Sequence, residues 1–494
     1  MEPTPWMDAA VTVHDEYQIE LKLKYPLPRG FSKTFYEVGF YVFAPMSLGI
    51  NPASYSEQQF YTDLQTYIRI KTPSIPLNLV AETGTAPLGR LRAVIEAMAR
   101  QPSNETPAGY ESQIKLFCCI LKSAVRDYVN YVRKTDIVED RTRLVDNYVR
   151  DVRRITAGYR DLRNLIQTPG IAKRTAEIYL FGDEYISLLI EDYTYHLLDG
   201  LLSREAGLCE GNQKELLSMI DGEVQYRAKR GYLSIPDEKK DNETLVFRRS
   251  VLKKYMSTVL FLDAKTKKGG VIMEQTLFGL AAGLAMLFAT TVAFISQSIY
   301  GNLTLPFFVA LVVSYIFKDR LKELLRFYIS RKMTQFIFDY KTKIYNVAGL
   351  VVGICRESFE FVRRQKLAPE IRKIRDRDHI TEIENGWVGE QVFLYRKRIH
   401  LRPDWKGSIF SEYDIDGIND IMRFNIQDFL RKMDDPNKEL FVMNDEGYHR
   451  IKGSRVYHLN LIVKLTGDRN QSYTRYRVIL NRKGIKRIEK VVAI

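Results

Sequence analysis

Any general base or metal centre working near neutral pH would draw first on the six histidines, His14, His196, His379, His400, His449 and His458. No two have the spacing that turns a pair of imidazoles towards one metal from one helix face, and H-E-x-x-H is absent. The segment Asp414-Ile-Asp416-Gly417-Ile-Asn419-Asp420 alternates carboxylates as a hard cation would require. It lacks the twelve-residue spacing and closing glutamate of a calcium loop, so Asp416 reads as the cap of a following helix or as a turn residue. Asp376-Arg-Asp378-His379 and His14-Asp15-Glu16 hold acid and base types without a distinguishing pattern. There is no phosphate loop, dinucleotide glycine fingerprint or nucleophile elbow. The residues therefore name no catalytic, cofactor or metal site, no cofactor is expected, and the reading leans away from an enzyme.

Two other patterns carry physical meaning. Arg475 and Arg477 alternate with Thr474, Tyr476, Val478 and Leu480, and arginine interleaved with tyrosine on a sheet can hold nucleic acid through phosphate contacts and stacking. A plain two-faced strand produces the same alternation. Gly279-Leu-Ala-Ala-Gly283 is a GxxxG, flanked by Ala281, Ala285, Ala289 and Ala293 at four-residue spacing. Such a ridge lets another helix approach closely, either within the chain or from a second copy.

The ridge lies in the stretch that organises the chain. Gln275–Phe317 is 43 residues without a charge, although 27% of the sequence is charged. That is too long for one membrane crossing and fits two. The pattern predicts a transmembrane helical hairpin over 271–318, with spans of about 275–296 and 303–318 and a turn at Tyr300-Gly301-Asn302. Lys265, Lys267 and Lys268 precede it and Lys318, Arg320, Lys322 and Arg326 follow, while the turn has no Lys or Arg. Basic flanks on both outer sides predict both termini in the cytoplasm, in a plasma or bacterial inner membrane. No Asp, Glu, Lys, Arg or His lies within the spans up to Phe317, which argues against a proton or ion path.

Around the hairpin the reading is α+β. Residues 1–85 form a small β-containing module, with a half-buried strand over Glu16–Tyr25 paired to a more central strand over Thr34–Ala44. Residues 86–268 form a cytoplasmic helical bundle or antiparallel coiled coil, in which Ile114, Phe117, Cys118, Leu121, Val125 and Val132 make one stripe and Leu144, Tyr148, Val152, Ile155, Tyr159, Leu162 and Ile166 another. Residues 319–379 read as amphipathic and basic juxtamembrane helices, with one helix running from Lys318 to Ile344. Residues 380–494 read as a cytoplasmic α+β domain, with a helix over Gly417–Lys432 and an antiparallel β meander at the end. The net charge of +14 suits an anionic leaflet, with nucleic acid as the other standard partner of a basic chain. Four cysteines without a C-x-x-C fit a reducing compartment, and Met1–Val13 has no signal-peptide pattern. The expectation is a membrane-anchored scaffold or signalling component that acts through a protein partner or as a homo-oligomer on a bilayer with anionic headgroups. A membrane-tethered nucleic-acid sensor is the alternative, and an enzyme on a lipid or nucleotide with an unrecognised site a third.

Overall fold

The computed structural model describes residues 7–26, 34–82, 84–101, 105–107, 109–203, 210–239, 241–301, 304–333, 338–346, 349–376, 389–402, 413, 415, 417–445, 447–467 and 470–491. It divides into two compact units, one built from 1–67, 263–405 and 420–494, the other from 68–262 and 406–419. The chain runs through β1 (Asp8–Val13), β2 (Gln18–Pro26), β3 (Thr34–Pro45), α1 (Glu57–Asp63) and β4 (Leu64–Ile70). Helices follow: α2 (Pro87–Arg100), α3 (Tyr110–Lys134), α4 (Val138–Asp161), α5 (Arg163–Ile166), α6 (Lys173–Leu202), α7 (Glu210–Arg230) and α8 (Glu243–Ser257). Then come β5 (Asp263–Lys268), α9 (Val271–Tyr300), α10 (Leu305–Met333), β6 (Tyr340–Tyr345), β7 (Val351–Val362), α11 (Pro369–Arg375) and β8 (Glu390–Leu401). The last elements are β9 (Gly417–Asn425), α12 (Gln427–Leu430), β10 (Asn437–Asn444), β11 (Gly447–Ser454), β12 (Tyr457–Thr466), β13 (Gln471–Asn481) and β14 (Gly484–Val491). The class is mixed α+β with a large antiparallel sheet.

In the first unit that sheet has eight strands in the order β14-β13-β12-β3-β8-β7-β6-β5, and a second sheet has the order β1-β2-β9-β4. β2 buries Ile19, Leu21, Leu23 and Tyr25 as its alternation requires. β3 does not pair with it: Val42 stands opposite Leu461 of β12, and Phe40 opposite Tyr395 of β8. A strand apolar on both faces is satisfied only inside a sheet, and here its neighbours come from far along the chain. The N-terminal module and the C-terminal domain expected as separate bodies thus share one sheet. The expected β meander forms as β12, β13 and β14 in antiparallel register.

Two helical expectations are overturned in this unit. Gly417–Lys432 is the strand β9 followed by the short α12. Its inward face is Ile418, Asp420, Met422 and Phe424, all buried, so a charged residue interrupted the two-residue alternation. The helix expected to reach Ile344 ends at Met333, and β6 and β7 occupy 340–362. Asp414, Asp416, Asp378 and His379 lie outside the described residues.

The second unit is a helical bundle. Both expected stripes enter its core: Ile114, Cys118, Leu121, Val125 and Val132 from α3, and Tyr148, Val152, Ile155 and Tyr159 from α4. Polar residues of α6 are buried as well, among them Asp183, Glu184, Ser187 and Glu191, and cations on three neighbouring helices answer them. Arg160 of α4 lies 3.6 Å from Asp183 and 2.6 Å from Glu223, Arg248 of α8 lies 2.7 Å from Glu184, and Arg249 lies 3.0 Å from Glu191. Arg227 of α7, fully buried, donates to Glu191 at 2.5 Å, to Ser187 Oγ at 2.9 Å and to the Ser234 carbonyl at 3.1 Å. A buried charge is tolerable only when paired and hydrogen-bonded, so these contacts fix which helices can meet and in what register.

Candidate membrane-anchoring hairpin

The uncharged stretch leaves and rejoins the first unit at the edge of the large sheet. β5 and β6 pair antiparallel from Asp263↔Tyr345 to Lys268↔Tyr340. Beyond that pair the Gly269 N–H donates to the Asp339 carbonyl at 2.7 Å and closes the stem. A Cβ on Gly269 would lie 2.1 Å from the Phe338 carbonyl oxygen, so no side chain fits there. Gly270, at φ 73°, turns the chain into α9 in a conformation natural to glycine. The Asp339 carboxylate accepts from the Phe359 N–H at 2.6 Å and from the Tyr61 hydroxyl at 2.9 Å. Burial nevertheless pushes its pKa up to about 6, against the pull of those two donors.

Beyond the stem α9 and α10 lie side by side. The Arg326 guanidinium sits 4.3 Å from the centre of the Phe278 ring, and Ser314 Oγ donates to the Ala289 carbonyl at 3.4 Å, which fixes an antiparallel alignment. Thr290 and Thr291 return their hydroxyls to the carbonyls of Met286 and Leu287 at 2.8 and 2.9 Å. Large apolar side chains point outward uncovered, among them Leu287, Phe294, Phe308 and Ile316, each more than half exposed. Among the described residues one helix, Gln275–Tyr300, is long and apolar enough to cross a membrane, and 11% of its most apolar window is buried. The uncharged part of α10, Leu305–Phe317, is about 20 Å long, short of the hydrocarbon thickness of about 30 Å. Lys318 follows it, with its ammonium 3.9 Å from the centre of the Tyr315 ring.

The small-residue ridge divides into two faces. Ala281 and Ala285 are buried, Ala289 and Ala293 half-buried. Gly279 and Gly283 are exposed, and a Cβ added to either would meet nothing within 4 Å. Two residues along a helix is more than half a turn, so the alanines serve the contact with α10 and the glycines face away. Lys265, Lys267 and Lys268 are exposed along β5, an edge strand. On α10 Lys318 and Lys322 are half-buried, Arg320 pairs with Glu323 at 3.4 Å, and Arg326 is exposed. Arg475 is 3% exposed: its guanidinium holds Asn460 Oδ1 at 2.9 Å and the Ile374 carbonyl at 3.2 Å, which removes it from any nucleic-acid surface. Arg477 lies 3.8 Å from Glu489.

The first unit also contains a buried polar cluster that the sequence did not mark. Lys397 of β8, 1% exposed, lies 2.7 Å from Asp420 of β9 and 3.5 Å from Glu357 of β7. Tyr25 donates to Asp420 at 3.2 Å, and Tyr395 donates to Glu357. Burial alone would push Lys397 down, but Asp420, then Cys355 and Glu357, outweigh it and hold the ammonium above the ordinary lysine value. A nearby void of about 10 Å³ is apolar, lined by Ile19, Leu21, Phe40, Phe60, Tyr395 and Phe424 among others. The cluster ties four strands of two sheets together, β2 and β9 of one to β7 and β8 of the other.

In the second unit, residues 233–245 line a surface hollow of about 690 Å³. Two of its acidic side chains are committed to the loop itself, Asp237 to the Lys239 N–H and Asp241 to the Glu243 N–H. Among the described residues no three His, Cys, Asp or Glu side chains are grouped to hold a metal ion. Cys118, Cys119 and Cys355 are free and buried. Comparison with protein-family models, with curated proteins and with solved structures finds no match.

Proposed function

We propose that this chain is an integral membrane protein held by α9 and α10 as a hairpin anchor, with both units on the cytoplasmic side, and that it works as a scaffold or signalling component through protein contacts. The observation that carries the reading is the length of uncovered apolar surface on the paired helices, which water would penalise at about 25 cal/mol per Å². The stem supports it, because β5 and β6 are adjacent and entry and exit lie side by side. The short second helix is accommodated if Lys318 and Lys322 extend their stems towards the headgroups or the bilayer thins locally.

The β10–β11 ribbon supports the contact reading. It is exposed along its whole length, with Leu440 and Ile451 on one face and Phe441, Met443 and Tyr448 on the other. A two-stranded ribbon is marginal in water alone, and apolar residues on both its faces are a surface made to be covered. Membrane fractions holding the full chain decide the anchor. The protein should stay in the pellet at alkaline pH and high salt and dissolve only with detergent, and release by alkali alone would refute it. The contact reading fails if the full chain, isolated from those membranes, recovers neither a protein partner nor a second copy of itself.

A further inference from the structure

Five cations stand in register on one face of the sheet at the hairpin stem. Across β5–β6, Lys265 lies opposite Lys343 and Lys267 opposite Lys341; across β6–β7, Lys341 lies opposite Arg356. The reverse face turns inward, where Thr266 and Thr342 bond at 2.9 Å and Ile344 is fully buried. All four lysines are exposed and Arg356 is half-buried. Among the described residues none of the five has a carboxylate within ion-pair distance. One strand further the pattern changes: Arg398 pairs with Glu37 at 2.5 Å, and Arg396 lies 3.6 Å from Glu360.

Like charges directly opposite one another on a sheet destabilise it, and the Lys265 ammonium 5.2 Å from the centre of the Tyr345 ring offsets only part of that cost. Lysines on an edge strand guard against stray strand pairing, which accounts for Lys265 and Lys267. It does not account for Lys341, Lys343 and Arg356, whose strands have neighbours on both sides. Burial, then Arg356 and Arg398, push the neighbouring His400 imidazole below its ordinary value. The face also adjoins the route of the apolar chain. The Arg398 guanidinium lies 5.3 Å from the centre of the ring of Phe338, the residue through which α10 returns, and Lys268 is three residues from the start of α9.

We propose that the outward face of β5, β6 and β7 is a docking surface for anionic phospholipid headgroups of the leaflet that the hairpin enters. The proposal rests on the anchoring reading and adds to it a lipid preference and the residues that exert it. Strand and residue spacings of about 4.8 and 6.7 Å space the cations over an area that matches a few adjacent headgroups. Each basic residue held near an anionic leaflet favours the bound state about fivefold. Neighbouring lysines in a planar array also suit mobile phosphates, which can rearrange to meet them.

The test is amine acetylation of the intact chain in lipid nanodiscs, read lysine by lysine. In discs containing phosphatidylserine or phosphatidylglycerol, Lys265, Lys267, Lys341 and Lys343 should react about fivefold or more slowly than in pure phosphatidylcholine discs, with exposed Lys214 and Lys239 unchanged. Equal rates in both discs overturn the docking surface while leaving the anchor intact. Failure of the chain to elute with discs of either composition overturns the anchor and the proposal with it. Protection in phosphatidylcholine discs by added inorganic phosphate, or by a single-stranded oligonucleotide, to the same degree as by anionic lipid would assign the face to a free anion or a nucleic acid and refute the lipid source.

Discussion

Replacing Asp339 by asparagine tests the stem of the hairpin most directly. The carboxylate sits where the chain returns to the sheet, accepts from the Phe359 N–H and the Tyr61 hydroxyl, and is pushed up to about 6 by burial. An acid raised in the folded state is more stable folded when protonated. Its contribution is therefore fully present below the unfolded value near 3.8 and is lost as pH rises to about 6, above which a lower plateau remains. The separation would be worth about 3 kcal/mol at full strength, and roughly 1–2 kcal/mol once solvent screening of a half-buried group is allowed for. Hydrogen exchange at the Phe359 amide reads the local opening, and after correction for the intrinsic rate its protection should fall about tenfold between pH 4.5 and 7. The Asp339→Asn chain keeps an oxygen acceptor for both donors, so its protection should be flat over that range and exceed the parent's at pH 7. Parent protection that rises with pH, or an equal fall in the variant, would refute the assignment of burial as the dominant influence.

The other predictions rest on packing and charge. Ala281→Leu forces a side chain into the α9–α10 contact and should cost about 1–3 kcal/mol, seen as a lower thermal midpoint in detergent, whereas Gly279→Leu, directed into open space, should leave the midpoint within the error of the parent. Lys397→Met strands Asp420 and Glu357 inside the sheets and should destabilise the first unit by about 3–5 kcal/mol in urea unfolding; Lys397→Met with Asp420→Leu should recover more than half of that, and no recovery would show that the charges are not the cause. Phe441→Asp on the exposed ribbon should leave the melting temperature unchanged while reducing self-association or partner recovery in pull-downs from membranes, and unchanged recovery would count against the ribbon as a contact surface.

How far these features were legible in the sequence follows from what a pattern can encode. The stripes of α3 and α4 were readable because every member is apolar, and period 3.6 survives when nothing polar interrupts it. The GxxxG was readable as a motif but not as a face, since only the alignment of α9 with α10 shows that the alanines carry the contact and the glycines do not. β9 was misread as a helix because its inward row includes Asp420, and the residue that makes this tolerable, Lys397, belongs to a different strand. Arg475 failed in the opposite sense: an arginine on the expected outer face has Asn460 and the Ile374 carbonyl waiting for it inside. The same physics hid the basic face. Tyr340–Tyr345 alternates lysine with Thr and Ile, but six residues beyond a long amphipathic helix read as its continuation, which puts their lysines on a helix face. Once β5, β6 and β7 are in register, Lys341, Lys343 and Arg356 line up with Lys265 and Lys267 before the hairpin, and the five cations become one surface. Sequence separation of about 75 residues across the hairpin conceals a juxtaposition that strand pairing makes immediate. If the hairpin enters a bilayer, that pairing holds the basic face beside its root, so anchor and headgroup contact are coupled: a change that loosens the Gly269–Asp339 closure should weaken lipid preference even with all five cations intact.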